Sequence, residues 1–321
     1  MGQFSLKNDD IEKEEGENDY LKFSTFNIQG WRKQNYNTFI SKLSQGNNNN
    51  FDIFCIFDGH NGSEISQFVK NHFDIELINN INKSPTQIKD SIKNTFLKMN
   101  ELMQTIEGKN EIKQLKIANL KEENKKYEKI LNESQIEDEI NLTEEEVKDI
   151  LDYTGCTAIL ILIDEKNKKL YFGNIGNSEA IIYGNNKTKK ILASKHRVTE
   201  QKEKERIKRE NGLILNDKLY GIFNFTRAFG DLAYIIGNEF SIIPDKLIKD
   251  EPDIYEYYIN DDDEYIFIGT ESIIETIDKN NFEEIKNIEE NLKDKITYEF
   301  YNNDTDVGFD SITCTLIKIK K

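Results

Sequence analysis

The stretch FDIFCIFDGHNG, residues 51–62, predicts a buried strand that ends in reactive side chains. The run is mostly apolar up to Phe57, and Asp58 and His60 follow with one glycine between them. Scaffolds often present binding and catalytic side chains where a strand gives way to a loop. The residues favour a metal-binding carboxylate beside a proton donor. Asp-Gly is also a common turn pair, and both interpretations stay open at this point.

Composition indicates how large a core the chain can form and which kinds of partner it excludes. The 321 residues are 37% hydrophobic and 32% charged, which is enough for one large core or two small ones. The formal net charge of −16 argues against nucleic acid as a partner, because phosphate binding needs clustered Lys and Arg. No apolar run reaches the roughly 20 residues of a transmembrane segment.

The cysteines and the N-terminus bear on location. Cys55, Cys156 and Cys314 lie far apart in apolar runs and form no CxxC pair, which favours reduced core cysteines in the cytoplasm. The N-terminus lacks a secretory signal. Gly2 leaves weak membrane anchoring by N-myristoylation open, although the expected hydroxyl falls one residue early, at Ser5; a plain acidic tail is the alternative.

Hydrophobic periodicity divides the chain into a tail and blocks of strands and helices. Residues 1–19 are polar and acidic and are expected to form a flexible tail before one domain over 20–321. Apolar residues recur at helical spacing over 64–103, with a break at Pro85. Strand-like runs with short links indicate an antiparallel meander in the segments TAILILID, KLYFGNIG and EAIIYG. The segregated blocks predict an α+β fold class with antiparallel sheets covered by helices.

Residues 107–153 form a charged block inside this domain. The block has no proline, carries scattered Ile and Leu at loosely helical spacing, and includes a capping box of Thr143 with Glu146. We expect a charged helical insertion. A solvated helical excursion is the simpler interpretation, and a docking arm for a partner protein is the other.

Three acidic residues lie at predicted strand ends: Asp58, Glu271 and Asp310. Carboxylate oxygens suit hard cations such as Mg²⁺ and Mn²⁺. The sequence alone does not show that the three converge, and each also fits a turn or a helix cap. His72 and His196 are expected to be ordinary surface or capping residues.

Eight blocks in order along residues 21–320 resemble the metal-dependent protein serine/threonine phosphatases of the PP2C (PPM) type. The blocks are QGWR (29–32), FDGHNG (57–62), GCTAILIL (155–162), GNIGNSEAII (173–182), KHRVTEQKEKERIKRENG (195–212), FTRAFGDLAY (225–234), FIGTES (267–272) and GFDSIT (308–313). The resemblance implies an antiparallel β-sandwich flanked by helices on both sides, an α-β-β-α fold. It also implies a binuclear Mg²⁺ or Mn²⁺ centre that activates water for attack on phosphorus.

The resemblance assigns roles to individual residues. Asp58 would bridge the two metal ions, Gly59 would add its carbonyl oxygen, and Asp310 would be a terminal metal ligand. His60 would be the general acid for the leaving oxygen, and Arg32 would bind the phosphate in a bidentate manner.

The metal centre departs from the family pattern at several positions. The family has Glu-Asp after the GWR block, whereas Tyr36 and Asn37 stand here and supply no carboxylate. Glu271 replaces the usual aspartate and is one methylene longer. Asn177 replaces an aspartate tied to a third, weaker metal, and Ser311 replaces the usual asparagine. Loss of one ion would slow the reaction on the order of 10³-fold.

We therefore expect a PP2C-fold pseudophosphatase that binds or scaffolds a protein partner or phosphoprotein, with residues 107–153 as the candidate docking segment. One Mg²⁺ or Mn²⁺ site keeps its acidic ligands, while the other loses its private carboxylate. The alternative is a weakly active Mg²⁺/Mn²⁺-dependent phosphatase acting on phosphoserine and phosphothreonine. In a pseudophosphatase, Asp58 and Asp310 would persist as hydrogen-bond acceptors that hold loops.

Overall fold

The computed structural model describes residues 11–30, 34–44, 51–131, 141–185, 188–192, 195–235, 247–276, 282–290, 292 and 311–320. The chain divides into two compact units. The first unit consists of Met1–Asp58, Ala158–Lys195 and Asp253–Lys321, and the second of Gly59–Thr157 and His196–Pro252. Arg32 and Asp310, and the candidate lipidation site Gly2, lie outside the described residues.

The strands and helices follow the segregated order that the sequence predicts. The strands are β1 Ile11–Glu17, β2 Leu21–Ile28, β3 Thr38–Lys42, β4 Phe51–His60, β5 Gly155–Asp164, β6 Lys169–Ile175, β7 Glu179–Gly184, β8 Lys189–Ile191, β9 Ile214–Leu215, β10 Lys218–Leu219, β11 Phe229–Gly230, β12 Asp253–Tyr258, β13 Asp263–Gly269 and β14 Ile312–Ile319. The helices are α1 Glu64–Lys83, α2 Ile88–Met103, α3 Ile106–Leu131, α4 Glu144–Tyr153, α5 Gln201–Arg209, α6 Leu232–Ile235, α7 Glu271–Thr276 and α8 Phe282–Lys286.

Two antiparallel sheets form the first unit, apart from the last residues of β4 and the first of β5. One sheet has the strand order β1-β2-β14-β13-β7-β8 and the other the order β12-β6-β5-β4-β3. Leu21 and Ile266 of the first sheet share one buried cluster with Phe54 and Ile161 of the second. Burial of these facing side chains from water holds the sheets together, which gives the predicted β-sandwich.

The opposite face of the first sheet is covered by helices of the same unit. Phe26 and Phe267 of that sheet lie in a second buried cluster with Ile273 of α7 and Ile285 of α8. The sheets and this helical layer confirm the α+β class with antiparallel sheets.

The second unit is mainly helical. α1 and α2 pack against each other, and the rings of Phe73 and Phe96 meet edge to face with 5.0 Å between their centroids. Pro85 lies between the two helices, as predicted, because proline has no N–H to continue the helical hydrogen bonds. The predicted capping box is present: the Thr143 hydroxyl accepts from the Glu146 N–H, and the Glu146 carboxylate accepts from the Thr143 N–H. Residues 107–153 are helical in α3 and α4, and 132–140 lie outside the described residues.

The prediction of a flexible tail over residues 1–19 is wrong for Ile11–Glu17, which form β1 and pair with β2. The strand lies at the edge of its sheet, where charged side chains keep contact with water. Lys13 Nζ lies 2.7 Å from Glu289 Oε2, and Ser24 donates to Glu15 at 2.8 Å. Residues 1–10 lie outside the described residues.

The predicted meander is also wrong at one link. β5 and β6 pair as expected, but residues 176–178 carry the chain into the other sheet, where β7 pairs with β13 and β8. β5 and β7 are buried along their whole length. A strand without a solvent-facing side carries no alternation that would indicate which sheet it joins.

Two sequence expectations concern cysteines and membrane spans. Cys55, Cys156 and Cys314 are free and buried. Among the described helices, none combines the length and the apolar character needed to cross a bilayer.

Asp52, at the start of β4, makes the stability of the first unit pH-dependent. Its buried carboxylate accepts from the Ser44 N–H at 2.8 Å and from Asn18 Nδ2 at 3.1 Å. Burial, together with the nearby Glu165 carboxylate, raises the pKa of Asp52 to about 7. Because this pKa lies above the unfolded value of about 3.9, protonated Asp52 stabilises the fold, and this contribution is lost as pH rises through about 7.

We therefore expect the free energy of unfolding of the wild type to fall between about pH 4 and pH 7 more steeply than that of Asp52→Asn, whose amide does not titrate. Urea unfolding at several pH values measures both slopes. Equal slopes for the two proteins would contradict this assignment.

Candidate active site

Strand β4 carries Asp58, Gly59 and His60 at its C-terminal end. Side chains two residues apart in a strand point to the same face, so Asp58 and His60 share one face of β4. Asp58 and His60 are partly exposed, whereas the residues from Ile53 to Phe57 are buried. The buried run anchors the strand and leaves its end available for chemistry.

His60 pairs with an aspartate that the sequence analysis missed. His60 Nε2 lies 2.6 Å from Asp231 Oδ2, and the Asp231 side chain is fully buried. The Phe225 ring lies against the imidazole with 4.7 Å between centroids. Phe225 and Asp231 both belong to the FTRAFGD block. The resemblance to the family assigns no role to the aspartate of this block. The available signal was a charged residue directly after an apolar run that ends in Phe-Gly.

A buried ion cluster anchors the chain segment that leads to Asp231. Glu203 of α5 lies 2.8 Å from Arg227 and 2.8 Å from Arg206, and it accepts from the Thr226 hydroxyl at 2.7 Å. Burial alone would raise the pKa of Glu203, but Arg227 and Arg206 outweigh it and hold the pKa at about 2. The cluster ties α5 to the FTRAFGD segment.

Glu271 is held by an amide at the start of α7. Asn177 Nδ2 donates to Glu271 Oε2 at 2.6 Å. Asn177 and Ser178 are buried, and Asn177 Oδ1 and Ser178 Oγ have no hydrogen-bond partner among the described residues. These two oxygens are acceptors left for a water or a cation beside the carboxylate.

Uncharged side chains bind one another where the family would place the second set of carboxylates. We call Asn27, Asn35, Tyr36 and Asn37 the amide wall. Asn35 Nδ2 donates to Asn27 Oδ1 at 2.9 Å, and the Asn37 N–H donates to Asn35 Oδ1 at 3.0 Å. Thr313 Oγ1 adds a hydrogen bond to Asn27 Oδ1 at 2.7 Å. These residues carry no carboxylate of their own, but Asn27 Nδ2 also donates to the Glu12 carboxylate of β1 at 2.8 Å.

Three of the predicted metal ligands are described in the structure. Asp58, the Gly59 carbonyl and Glu271 are donors of the type that Mg²⁺ and Mn²⁺ prefer. Within the described parts of the chain, no group of three or more His, Cys, Asp and Glu side chains gathers in a metal-binding arrangement. His72 is half-buried and pairs with Glu111 at 2.7 Å, whereas His196 is buried, so the prediction of a surface position is wrong for His196.

Comparisons with known proteins point to one family. A family model described as "Protein phosphatase 2C" matches residues 21–116 and 105–304. "Probable protein phosphatase 2C 4" of Paramecium tetraurelia is 32% identical over 82% of this chain and 76% of its own length. "Probable protein phosphatase 2C 3" of the same organism is 29% identical over 95% of both chains.

Solved structures agree on the fold. A serine-threonine phosphatase 2C from Toxoplasma gondii superposes with a TM-score of 0.65 at 15% identity, covering 97% of this chain and 99% of the other. A C. elegans sex determining protein superposes with a TM-score of 0.66 at 17% identity, and this chain spans 66% of its length.

The Glu203 cluster predicts a pH-dependent loss of stability. Replacing Glu203 by Gln leaves two guanidinium groups without a carboxylate, so we expect the free energy of unfolding at pH 7 to fall by about 3–5 kcal/mol. Because the pKa of Glu203 is lowered on folding, this stabilisation is present above about pH 4.5 and is lost as pH falls toward about 2.

Denaturant unfolding of wild type and Glu203→Gln at neutral and acidic pH tests this expectation. Glu205→Gln changes the same chemistry at an exposed position of α5 and serves as the control, with little expected effect. A wild-type advantage that does not shrink toward acidic pH would contradict the assignment.

Proposed function

This chain belongs to the protein phosphatase 2C family, and we propose that it is a member with reduced or lost catalysis that acts by binding a protein partner or phosphoprotein. Members of this family are metal-dependent in general, and the named relatives are phosphatases. The proposal concerns how far this chain departs from them.

The amide wall is the observation that carries the proposal. A phenol is neutral near pH 7 and an amide carries no charge, so Tyr36 and Asn37 do not offset the charge of a dication as carboxylates do. Asn37 is also bound to Asn35, which is bound to Asn27. A cation at this wall would have to break these hydrogen bonds, and the Glu12 carboxylate beside Asn27 is already engaged by Asn27 Nδ2 at 2.8 Å.

A single cation fits the remaining donors. Asp58, the Gly59 carbonyl and Glu271 would hold it, and a bound Mg²⁺ or Mn²⁺ would supply charge neutralisation for a phosphate group and activation of water. Asn177 keeps the longer Glu271 side chain in one orientation through its 2.6 Å hydrogen bond. Arg32 and Asp310 keep their expected roles as phosphate and metal ligands within this proposal.

The alternative function is a weakly active serine/threonine phosphatase. It is favoured by the retained pair of His60 and Asp231, because a buried carboxylate beside an imidazole is an arrangement that proton transfer uses. A protein that only scaffolds a partner has no need of this pair.

The partner is proposed to dock on α3 and α4. A cleft of about 1440 Å³ lies along these helices, and Ile106 at its end is 75% exposed. Lys109 and Lys113 of α3 line the cleft, and α4 contributes several acidic residues and Lys148. The free, buried cysteines also fit the proposed cytoplasmic location, where thiols stay reduced.

Charge reversal tests the docking surface. Lys109→Glu with Lys113→Glu should abolish capture of partners that the wild type retains from a cytoplasmic extract, because the basic residues that α3 contributes to the cleft are removed. Lys202→Glu with Lys208→Glu on α5 gives the same change of charge elsewhere in the second unit. Equal capture by the cleft variant and the wild type would overturn the docking proposal.

Phosphate release tests the catalytic proposal. We expect slow release from a phosphothreonine peptide in excess Mn²⁺, and calorimetry should count one Mn²⁺ site at most. Tyr36→Glu with Asn37→Asp restores two carboxylates and should raise the rate by up to about 10³-fold. Fast wild-type turnover that disappears in Asp58→Asn would overturn the proposal in favour of an ordinary phosphatase.

The double variant has a charge-matched control. Tyr258→Glu with Asn260→Asp introduces the same two carboxylates at exposed positions, one at the end of the edge strand β12 and one just beyond it, and should leave the rate unchanged. A similar gain in both variants would show that added negative charge, and not a restored site, raises the rate.

A further inference from the structure

We propose that Asp231 is a positioning residue for His60: its carboxylate holds the Nε2–H of the imidazole and leaves Nδ1 as the nitrogen that exchanges a proton with substrate. The use of Nδ1 on a phosphoryl leaving group rests on the proposed function. The held geometry of the ring does not, and it applies equally to a chain without turnover.

The distance and burial of the pair indicate the direction of the hydrogen bond. Nε2 and Oδ2 lie 2.6 Å apart, and the Asp231 side chain is 0% exposed against 17% for His60. In the arrangement proposed, the imidazole donates from Nε2 and the Asp231 carboxylate oxygen accepts. Oδ1 of Asp231 has no partner among the described residues, which leaves the imidazole N–H as the hydrogen bond that satisfies this buried carboxylate.

The backbone around His60 and Asp231 leaves room for their side chains to stay in contact. A Cβ on Gly155 would lie 2.4 Å from Asp231 Oδ2 and 2.6 Å from His60 Nε2, so a side chain there would force the two apart. Gly230 and Asp231 have φ values of 73° and 49°, the left-handed region that costs a non-glycine residue energy. The Asp231 N–H donates to the Thr154 carbonyl at 3.0 Å, which offsets part of that cost.

The C-terminal end of α4 braces both sides of the pair. Asn61, directly after His60, donates through Nδ2 to the Tyr153 carbonyl at 2.8 Å. The next carbonyl, that of Thr154, accepts from Asp231. Tyr153 and Tyr234 also meet edge to face at 5.9 Å. Two consecutive backbone carbonyls therefore hold the residues next to the imidazole and the carboxylate.

This arrangement predicts which substrates depend on Asp231. When the P–O bond to a serine or threonine oxygen breaks, water supplies the new P–O bond and its proton stays on the phosphate product, while the leaving oxygen takes a proton; Nδ1, the ring nitrogen that Asp231 does not hold, is the nitrogen placed to supply it. The remaining Nε2–H stays on Asp231. A nitrophenolate leaves without a proton because it is a weak base, so an aryl phosphate does not need this step.

Imidazole NMR tests the geometry without any turnover. The chain has three histidines, so ring N–H signals can be assigned one by one. We expect a solvent-protected Nε2–H signal for His60 that is lost in Asp231→Ala and in Gly155→Ala, the latter keeping both partners but separating them. Glu111→Gln is the control. It removes the carboxylate that lies 2.7 Å from His72 Nε2 and should leave the His60 signal unchanged. A His60 ring with its protected hydrogen on Nδ1, or a signal that survives both variants, overturns the proposal.

Turnover with two substrates tests the functional part. With excess Mn²⁺, Asp231→Ala should lower kcat for a phosphothreonine peptide on the order of 10²-fold with little change in KM, and leave kcat for p-nitrophenyl phosphate nearly unchanged. Asp231→Asn, which retains an acceptor, should recover part of the loss. Equal losses on both substrates would assign Asp231 a structural role only and overturn the proposal. Absence of wild-type turnover on both substrates would reject only the use of Nδ1 in catalysis, and the NMR result would then decide whether Asp231 positions His60.

Discussion

The pairing of β14 with β2 is the interaction on which the rest of the first unit depends. The ladder runs from Ile312 opposite Ile28 to Ile319 opposite Leu21, and the hydroxyls of Thr25 and Thr315 meet across it at 2.9 Å. It joins the two ends of the chain, so its formation requires the closure of a very long loop. The same register sets Thr313 beside Asn27. The pairing of β14 with β13 continues to the hydrogen bond from the Thr270 N–H to the Thr313 carbonyl, just before Glu271 at the start of α7.

In the candidate site, several polar side chains are bound to amide groups and not to charged partners. Glu271 is paired with an amide, and the amide wall pairs its own members. Buried or half-buried carboxylates without a counter-charge repel one another and favour protonation, as the raised pKa of Asp52 beside Glu165 shows elsewhere in the same unit. The neutral side chains of Tyr36 and Asn37 add no further carboxylate to this part of the unit.

Much of the fold could be predicted because local patterns determine local structure. The alternation in β14, the apolar stripes of α1 and α2 and the capping box at Thr143 appear where the residues indicated them. The predictions fail where the structure of a strand depends on which other strand it pairs with. β1 is a charged edge strand that becomes ordered only because β2 is available, and β7 joins a different sheet from β6 although three residues separate them. Period-two alternation reports conformation and a buried face, and it does not identify the neighbouring strand.

The identity and order of residues determined the family, the α+β class and the absence of carboxylates at Tyr36 and Asn37, because each of these depends on sequence alone. The tertiary structure decided that Asp231 holds His60 and that Asn177 holds Glu271. The members of these pairs are 171 and 94 residues apart. No local pattern encodes such contacts, since they arise only when strand register and buried packing bring distant segments within hydrogen-bonding distance.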